Sequence, residues 1–202
     1  MVSQGMKVLL VLASVVMGAA APWQAGAGHR VHGLTVRGFR IEFEKTPMAA
    51  IIHRLGPVSL AEGPGAVTSG CYELGRARGS LFLVLESSEM GGEEQAITGF
   101  AVSAERPARP RPCSPIAIEP SDLVVDQGLR VCMSSTQLRA RLGPPRSARG
   151  DTLLYEGKAI LPAERGDSLH PGLPAGTMFF GTDVVLRAGR VVRIYAFQVS
   201  ST

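Results

Sequence analysis

Apolar and polar positions along this chain follow two different periods, and the change of period predicts two short helices. From Cys132 to Pro145, Leu138 and Leu142 fall on one helical face and Ser134 stands where an N-cap belongs. Gln137, three residues on, completes a capping-box pattern, and Gly143 with Pro144 ends the run. From Thr46 to Gly56 the apolar stripe is Met48, Ile51, Ile52 and Leu55. Thr46 is expected as its N-cap, Pro47 at its first helical position, and Gly56 with Pro57 as its terminator. Both helices end in Arg-Leu-Gly-Pro.

Strand patterns surround each helix. Leu81 to Leu85 is a β-rich run apolar on both faces, as expected of a central or covered strand. Glu86 to Gly92 breaks it with turn chemistry, and Ala96 to Val102 returns as a strand. Thr177 to Leu186 and Val191 to Val199 flank Arg187-Ala188-Gly189-Arg190, a hairpin signal in which Gly189 takes positive φ. Between them and the second helix, Ala159 to Gly176 is rich in Pro and Gly without a period and reads as a long loop.

The flanks match in order. Gly38-Phe39-Arg40-Ile41 precedes the first helix and Gly128-Leu129-Arg130-Val131 the second. Cys71-Tyr72-Glu73 answers to Leu154-Tyr155-Glu156, and Gly99-Phe100-Ala101-Val102-Ser103 to Ala196-Phe197-Gln198-Val199-Ser200. A tandem duplication explains why the order is kept while the spacers vary. The expected fold class is therefore α+β, a tandem repeat of a short helix packed on an antiparallel β-meander. Residues 28–105 form the first repeat, 106–122 a Pro/Arg-rich linker and 123–202 the second. Repeats of this size are near the lower limit for independent folding, so a shared core or continuous sheet is expected.

Residues 1–27 read as a leader: Lys7, an apolar run from Val8 to Met17, then small residues. Cleavage after Ala21 would leave Pro22 first, so Ala20 or Ala27 is the expected cleavage site. The run is shorter than the roughly 20 residues of a membrane span, and no cysteine closes the leader for lipid attachment. The mature chain is expected to be periplasmic or secreted, with no integral span. The net charge of +4 is small and dispersed, which argues against a nucleic-acid partner. Its densest part, Arg106, Arg109 and Arg111, is interleaved with prolines and reads as an extended spacer.

The second half resembles the SmpA/OmlA (BamE-like) family of outer-membrane assembly proteins through Met133-Ser134, Leu142-Gly143-Pro144-Pro145 and Tyr155, with Cys132 where that family often has glycine. In tandem, such units are similar to the β-lactamase-inhibitor-protein fold, whose two repeats align their sheets into one concave surface. The resemblance implies a binding protein. The lipid-anchoring cysteine of those lipoproteins is absent, and no inhibitory loop maps residue by residue.

Three cysteines entering an oxidising compartment give one disulfide and one thiol. Of three pairings, Cys71 with Cys113 is favoured: Cys113 closes the proline-rich stretch and can staple it to the first repeat. Cys132, at the position the family fills with a small residue, is expected to be buried.

No catalytic motif is present: neither G-x-S-x-G, H-E-x-x-H nor a phosphate-cradling glycine loop occurs. His29 and His32 form an H-x-x-H pair without further ligands at zinc-site spacing, so neither a metal nor a cofactor is expected. His53 and His170 have no sequence neighbour that would make either a base. Glu86, Glu89, Glu93 and Glu94 lie in turn sequence and read as a solvated tip. The functional expectation is an exported non-enzymatic protein that engages another protein or an envelope component through its sheet face and loops. Glu86, Glu89, Met90, Tyr72 and Tyr155 are the candidate contacts. Two alternatives stand beside it: a secreted hydrolase with a dispersed Ser/His/carboxylate site, and an envelope scaffold that binds anionic polymers.

Overall fold

The structure, a computed structural model, describes residues 30–75, 79–107, 112–161 and 176–201. The expected leader, His29, His170 and the Arg109–Arg111 part of the spacer lie outside the described residues. The described residues are strand-dominated, with two α-helices and mainly antiparallel pairing.

In order, the elements are β1 (Gly33–Val36), β2 (Phe39–Glu42), α1 (Met48–Leu55), β3 (Leu60–Gly63), β4 (Val67–Leu74), β5 (Leu81–Ser87) and β6 (Gly99–Ser103). They continue with β7 (Ser114–Ile116), β8 (Leu123–Val125), α2 (Ser135–Leu142), β9 (Ser147–Arg149), β10 (Thr152–Leu161), β11 (Gly176–Arg187) and β12 (Arg190–Ser201). Among the described residues they form a three-stranded sheet, β2-β1-β8, and a nine-stranded sheet ordered β3-β4-β5-β6-β12-β11-β10-β9, in which β7 also pairs with β4.

The larger sheet is joined at β6–β12, where Phe100 faces Ala196 and Gly99 faces Phe197. One core spans the seam. Leu83 and Leu85 of β5, Phe100 and Val102 of β6, Ile194 and Ala196 of β12 and Val184 of β11 are all buried in it. α1 adds Met48 and Ile51, α2 adds Leu138 and Leu142, and the small sheet adds Leu34, Val36, Ile41, Leu123 and Val125. The doubly apolar run Leu81 to Leu85 is an interior strand, as its composition required.

α2 follows its sequence signals. The Ser134 hydroxyl accepts from the Gln137 N–H, the Gln137 side chain accepts from the Ser134 N–H, and the Gly143 N–H closes on the Arg139 carbonyl at 2.9 Å. At α1 the cap differs from expectation: Pro47 is the N-cap, and the Thr46 hydroxyl instead accepts from the Glu42 N–H at 2.9 Å. The chain turns back from β2 into the helix there, which draws the threonine towards the strand end.

Two tight hairpins use the same device. Arg37-Gly38 joins β1 to β2 and Ala188-Gly189 joins β11 to β12, each pair having positive φ at both residues. That geometry matches the right-handed twist of the strands.

Other expectations shift. Residues 114–116, within the stretch read as a spacer, form β7 parallel to β4 with Tyr72 opposite Ser114. Ile116 at its end and Ile118 beyond it are buried, so the apolar alternation draws this stretch into the core. The long unpatterned stretch begins later than expected, since Ala159 to Leu161 extend β10 and pair with Met178 to Gly176. Pairing of β6 starts at Gly99, while Ala96 makes an isolated bridge to Pro47. Cys132 is exposed, contrary to the expected burial. Its φ of 70° places it in the left-handed region, where a glycine is the usual residue.

Candidate interaction surface

Strand alternation gives the large sheet two different faces. One packs on the core. On the other, the pairings align Cys71, Val84, Ala101, Tyr195, Asp183 and Leu154 in a row across six strands. The neighbouring row is Ser69, Glu86, Gly99, Phe197, Gly181 and Glu156. Among the described residues no helix lies against either row; Cys71, Ala101 and Leu154 are buried between their neighbours, Tyr195, Asp183 and Phe197 are half-buried, and Glu156 is exposed, so this is the more open face.

The aromatic centre of the face depends on Gly181. A Cβ there would overlap the Phe197 ring, so the missing side chain lets that ring lie low over the strand, whereas a Cβ at Gly99 would make only ordinary contact with the Tyr195 hydroxyl at 3.4 Å. Tyr195 tilts against Phe197 with centroids 6.0 Å apart, and the Arg193 guanidinium stands 5.9 Å from the Tyr195 ring. The Tyr195 hydroxyl donates to Glu86 Oε2 at 3.2 Å. Burial, then the negative charge of Glu86, push the phenol above its usual pKa, so it remains a donor throughout the neutral range.

Asp183 lies beside Tyr195 in the row. Burial first, and then Glu156, raise its pKa, against the opposing pull of Arg193 and Arg149. Its Oδ1 is buried and has no hydrogen-bond partner among the described residues. A half-buried carboxylate next to two aromatic rings suits an incoming donor or cation better than it suits solvent.

A cleft of about 570 Å³ occupies one end of the face, lined by Pro64, Val67, Val84, Glu86, Ser103 and Arg106 among others, with the Cys71 side of the Cys71–Cys113 disulfide in its wall. Glu73 accepts from Arg106 Nη2 at 2.9 Å and from Ser80 Oγ at 2.8 Å, and the Arg106 guanidinium also sits 5.5 Å from the Phe82 ring. At the other end, Phe179 is 46% and Ile160 73% exposed. The open face thus offers apolar contact area and fixed charges of both signs.

Of the residues singled out in the sequence, Glu86 is on this face, while Glu89 and Met90 are exposed in the 3₁₀ turn after β5. Tyr72 and Tyr155 are on the covered side. Tyr72 is fully buried and donates its hydroxyl to the Gly56 carbonyl at 2.8 Å, with burial holding its pKa up to about 12. Burial also raises Tyr155, whose hydroxyl has no partner among the described residues. Sequence reasoning did not single out Tyr195, Phe197, Asp183 or Phe179. Their signal was present: Phe179, Gly181, Asp183 and Val185, like Arg193, Tyr195 and Phe197, recur at the two-residue spacing of one strand face.

His32 and His53 are exposed, and among the described residues no histidine lines this cleft or either of two smaller clefts, of about 460 and 370 Å³, beside β7 and behind Cys132. Among the described residues, no group of three or more His, Cys, Asp or Glu side chains is placed to hold a metal ion. No family model matches this chain, and no curated protein or solved structure matches it.

Proposed function

We propose that this chain is an exported, non-enzymatic binding protein that engages another protein or an envelope component through the open face of its large sheet and the adjoining Glu89–Met90 turn. The observation that carries the reading is the half-buried row of Tyr195 and Asp183 beside Phe197, continued by the exposed Phe179. Rigid aromatic side chains with a polar handle lose little conformational entropy on docking, which makes them efficient contact residues.

Export is supported by the leader-like residues 1–27 together with the Cys71–Cys113 disulfide, a bond that persists in oxidising compartments. No helix among the described residues is long and apolar enough to cross a membrane. The absence of catalytic sequence motifs supports the non-enzymatic part of the reading.

We also propose that the two halves are copies of one helix-and-meander unit. The strand order supports this, because β3 to β6 and β9 to β12 run in opposite senses from a shared seam. So does the seam itself: matched Phe100 and Phe197 each face the partner strand's small residue, Ala196 or Gly99. An arrangement of this kind is similar to the β-lactamase-inhibitor-protein fold, and the α2 region resembles the SmpA/OmlA family.

The test is a crosslinking pull-down from native envelope and culture fluid with the mature chain and with its Phe179→Ala/Arg193→Glu variant. Loss of a wild-type partner from the variant is expected. An identical set of partners on both baits would refute the face as the contact surface.

A further inference from the structure

Among the described residues, β10 is covered along only part of its outer edge. β9 pairs with Thr152, Leu153 and Leu154, and among the described residues no strand pairs with that edge from Tyr155 to Leu161. The direction of the unpaired groups follows from one bond. The Leu154 carbonyl accepts from the Arg146 N–H on the β9 side at 2.8 Å, whereas the Asp151 carbonyl accepts from Leu186 on the β11 side. Backbone groups in an antiparallel strand alternate between its two sides. Glu156, Lys158 and Ile160 therefore each direct an N–H and a C=O outwards.

The same three side chains lie on the open face, and all are exposed, Ile160 by 73%. We infer that the outer edge of β10 from Tyr155 to Leu161 docks an extended, antiparallel segment of another protein whose alternate residues read, from N to C, apolar, acidic, basic. The apolar residue covers Ile160, the acidic one pairs with Lys158 and the basic one with Glu156. Cross-strand pairs of this kind fix register, while the backbone ladder supplies most of the attraction. The added strand prolongs the open face, but its binding does not require the Tyr195 centre to be occupied, so the two sites fail independently.

A second copy of this chain fits the edge poorly. The antiparallel register that uses the whole free edge sets Lys158 against Lys158 of the copy, and like charges directly opposite repel. Sliding one step to pair Glu156 with Lys158 sets Ile160 of the copy opposite Leu154, where Ser147 of β9 already lies.

The test uses two fluorescein-labelled peptides, TVTETKT and its charge-exchanged form TVTKTET, titrated with the mature protein and followed by anisotropy. TVTETKT is expected to bind about tenfold more tightly, because two attractive pairs become repulsive ones in the other peptide. The Glu156→Lys/Lys158→Glu variant, altered only at exposed positions and checked for folding by circular dichroism, is expected to reverse the preference. N-methylation of the Val, Glu and Lys residues of TVTETKT is expected to abolish binding. Equal affinity for both peptides, a preference unchanged in the variant, or no binding of either would overturn the inference. A concentration-dependent dimer lost on Lys158→Glu would also overturn it, since the edge would then belong to a second copy.

Discussion

The hydroxyl of Tyr195 on β12 reaches across β6 to Glu86 on β5, 3.2 Å away, and ties the two sides of the sheet's seam together on its open face. Burial heads the causes that raise Tyr195, as it does for Tyr72 and Tyr155, the other two tyrosines of the chain. A tyrosine raised in the folded state resists ionisation, so stability is full below the unfolded value of about 10 and declines as pH rises beyond it. In a spectrophotometric titration, none of the three is expected to ionise near pH 10 while the fold persists, and tyrosinate should appear together with alkaline unfolding. A tyrosine titrating at its ordinary value in the folded protein would show that one of these hydroxyls is solvated.

At the acid end the sensitive pair is Arg40 and Asp126. Arg40 Nη2 donates to Asp126 Oδ2 at 2.9 Å, Nη1 donates to Oδ1, and the His32 N–H adds a bond of 2.9 Å. Burial works to raise Asp126, but these bonds outweigh it and hold its pKa below the ordinary range. A depressed carboxylate contributes stability that is present above its unfolded pKa of about 4 and is lost as pH falls through the folded value. Asp126→Asn is expected to cost about 1–2 kcal/mol at neutral pH, a range reduced for the partial exposure of the pair. Urea midpoints should show that difference shrinking below about pH 4. A difference that persisted at lower pH would contradict the role given to the charge.

The disulfide pins β7 beside β4 and closes a loop with a sequence separation of 42. In the chain-entropy treatment a loop of that size contributes about 4 kcal/mol. A Cys71→Ser/Cys113→Ser variant is expected to lower the denaturant-derived stability by an amount of that order. A thiol reagent should find one fast-reacting group in the native chain, the exposed Cys132, and three after reduction and unfolding. More than one fast thiol in the unreduced protein would contradict the pairing.

The capping box of α2 is expected to matter in proportion to its two bonds. Ser134→Ala should destabilise by about 1 kcal/mol. The thermal midpoint would report it, and restoration by Ser134→Asp would identify the cap as the cause.

Helices, hairpin and disulfide were legible because each rests on a short sequence signal: a cap at Ser134, a glycine stop at Gly56 or Gly143, a turn at Ala188-Gly189, three cysteines of which Cys113 closes a proline-rich stretch. The small sheet was not, although Arg37-Gly38 is as good a turn as Ala188-Gly189. Its third strand, β8, comes from 81 or more residues downstream of β2, and no local pattern announces such a pairing. The candidate surface was legible only in part. Glu86 stood out as a charge, but Tyr195 becomes its neighbour through the pairing of β6 with β12, and Asp183 only through the next strand. Tyr72 and Tyr155 drew notice as aromatics in matching contexts. Tyr72 belongs to the interior and Tyr155 to the covered side, which two-residue alternation assigns once the direction of one neighbour is known.

The most direct measurement on the central claim is site-specific photocrosslinking in the native envelope. A benzophenone side chain replaces Phe179 on the open face or, as control, the exposed Arg139 on α2. One discrete adduct is expected from position 179, absent from position 139 and suppressed by Arg193→Glu. Adducts of equal yield at both positions, or from α2 alone, would contradict the open sheet face as the binding surface.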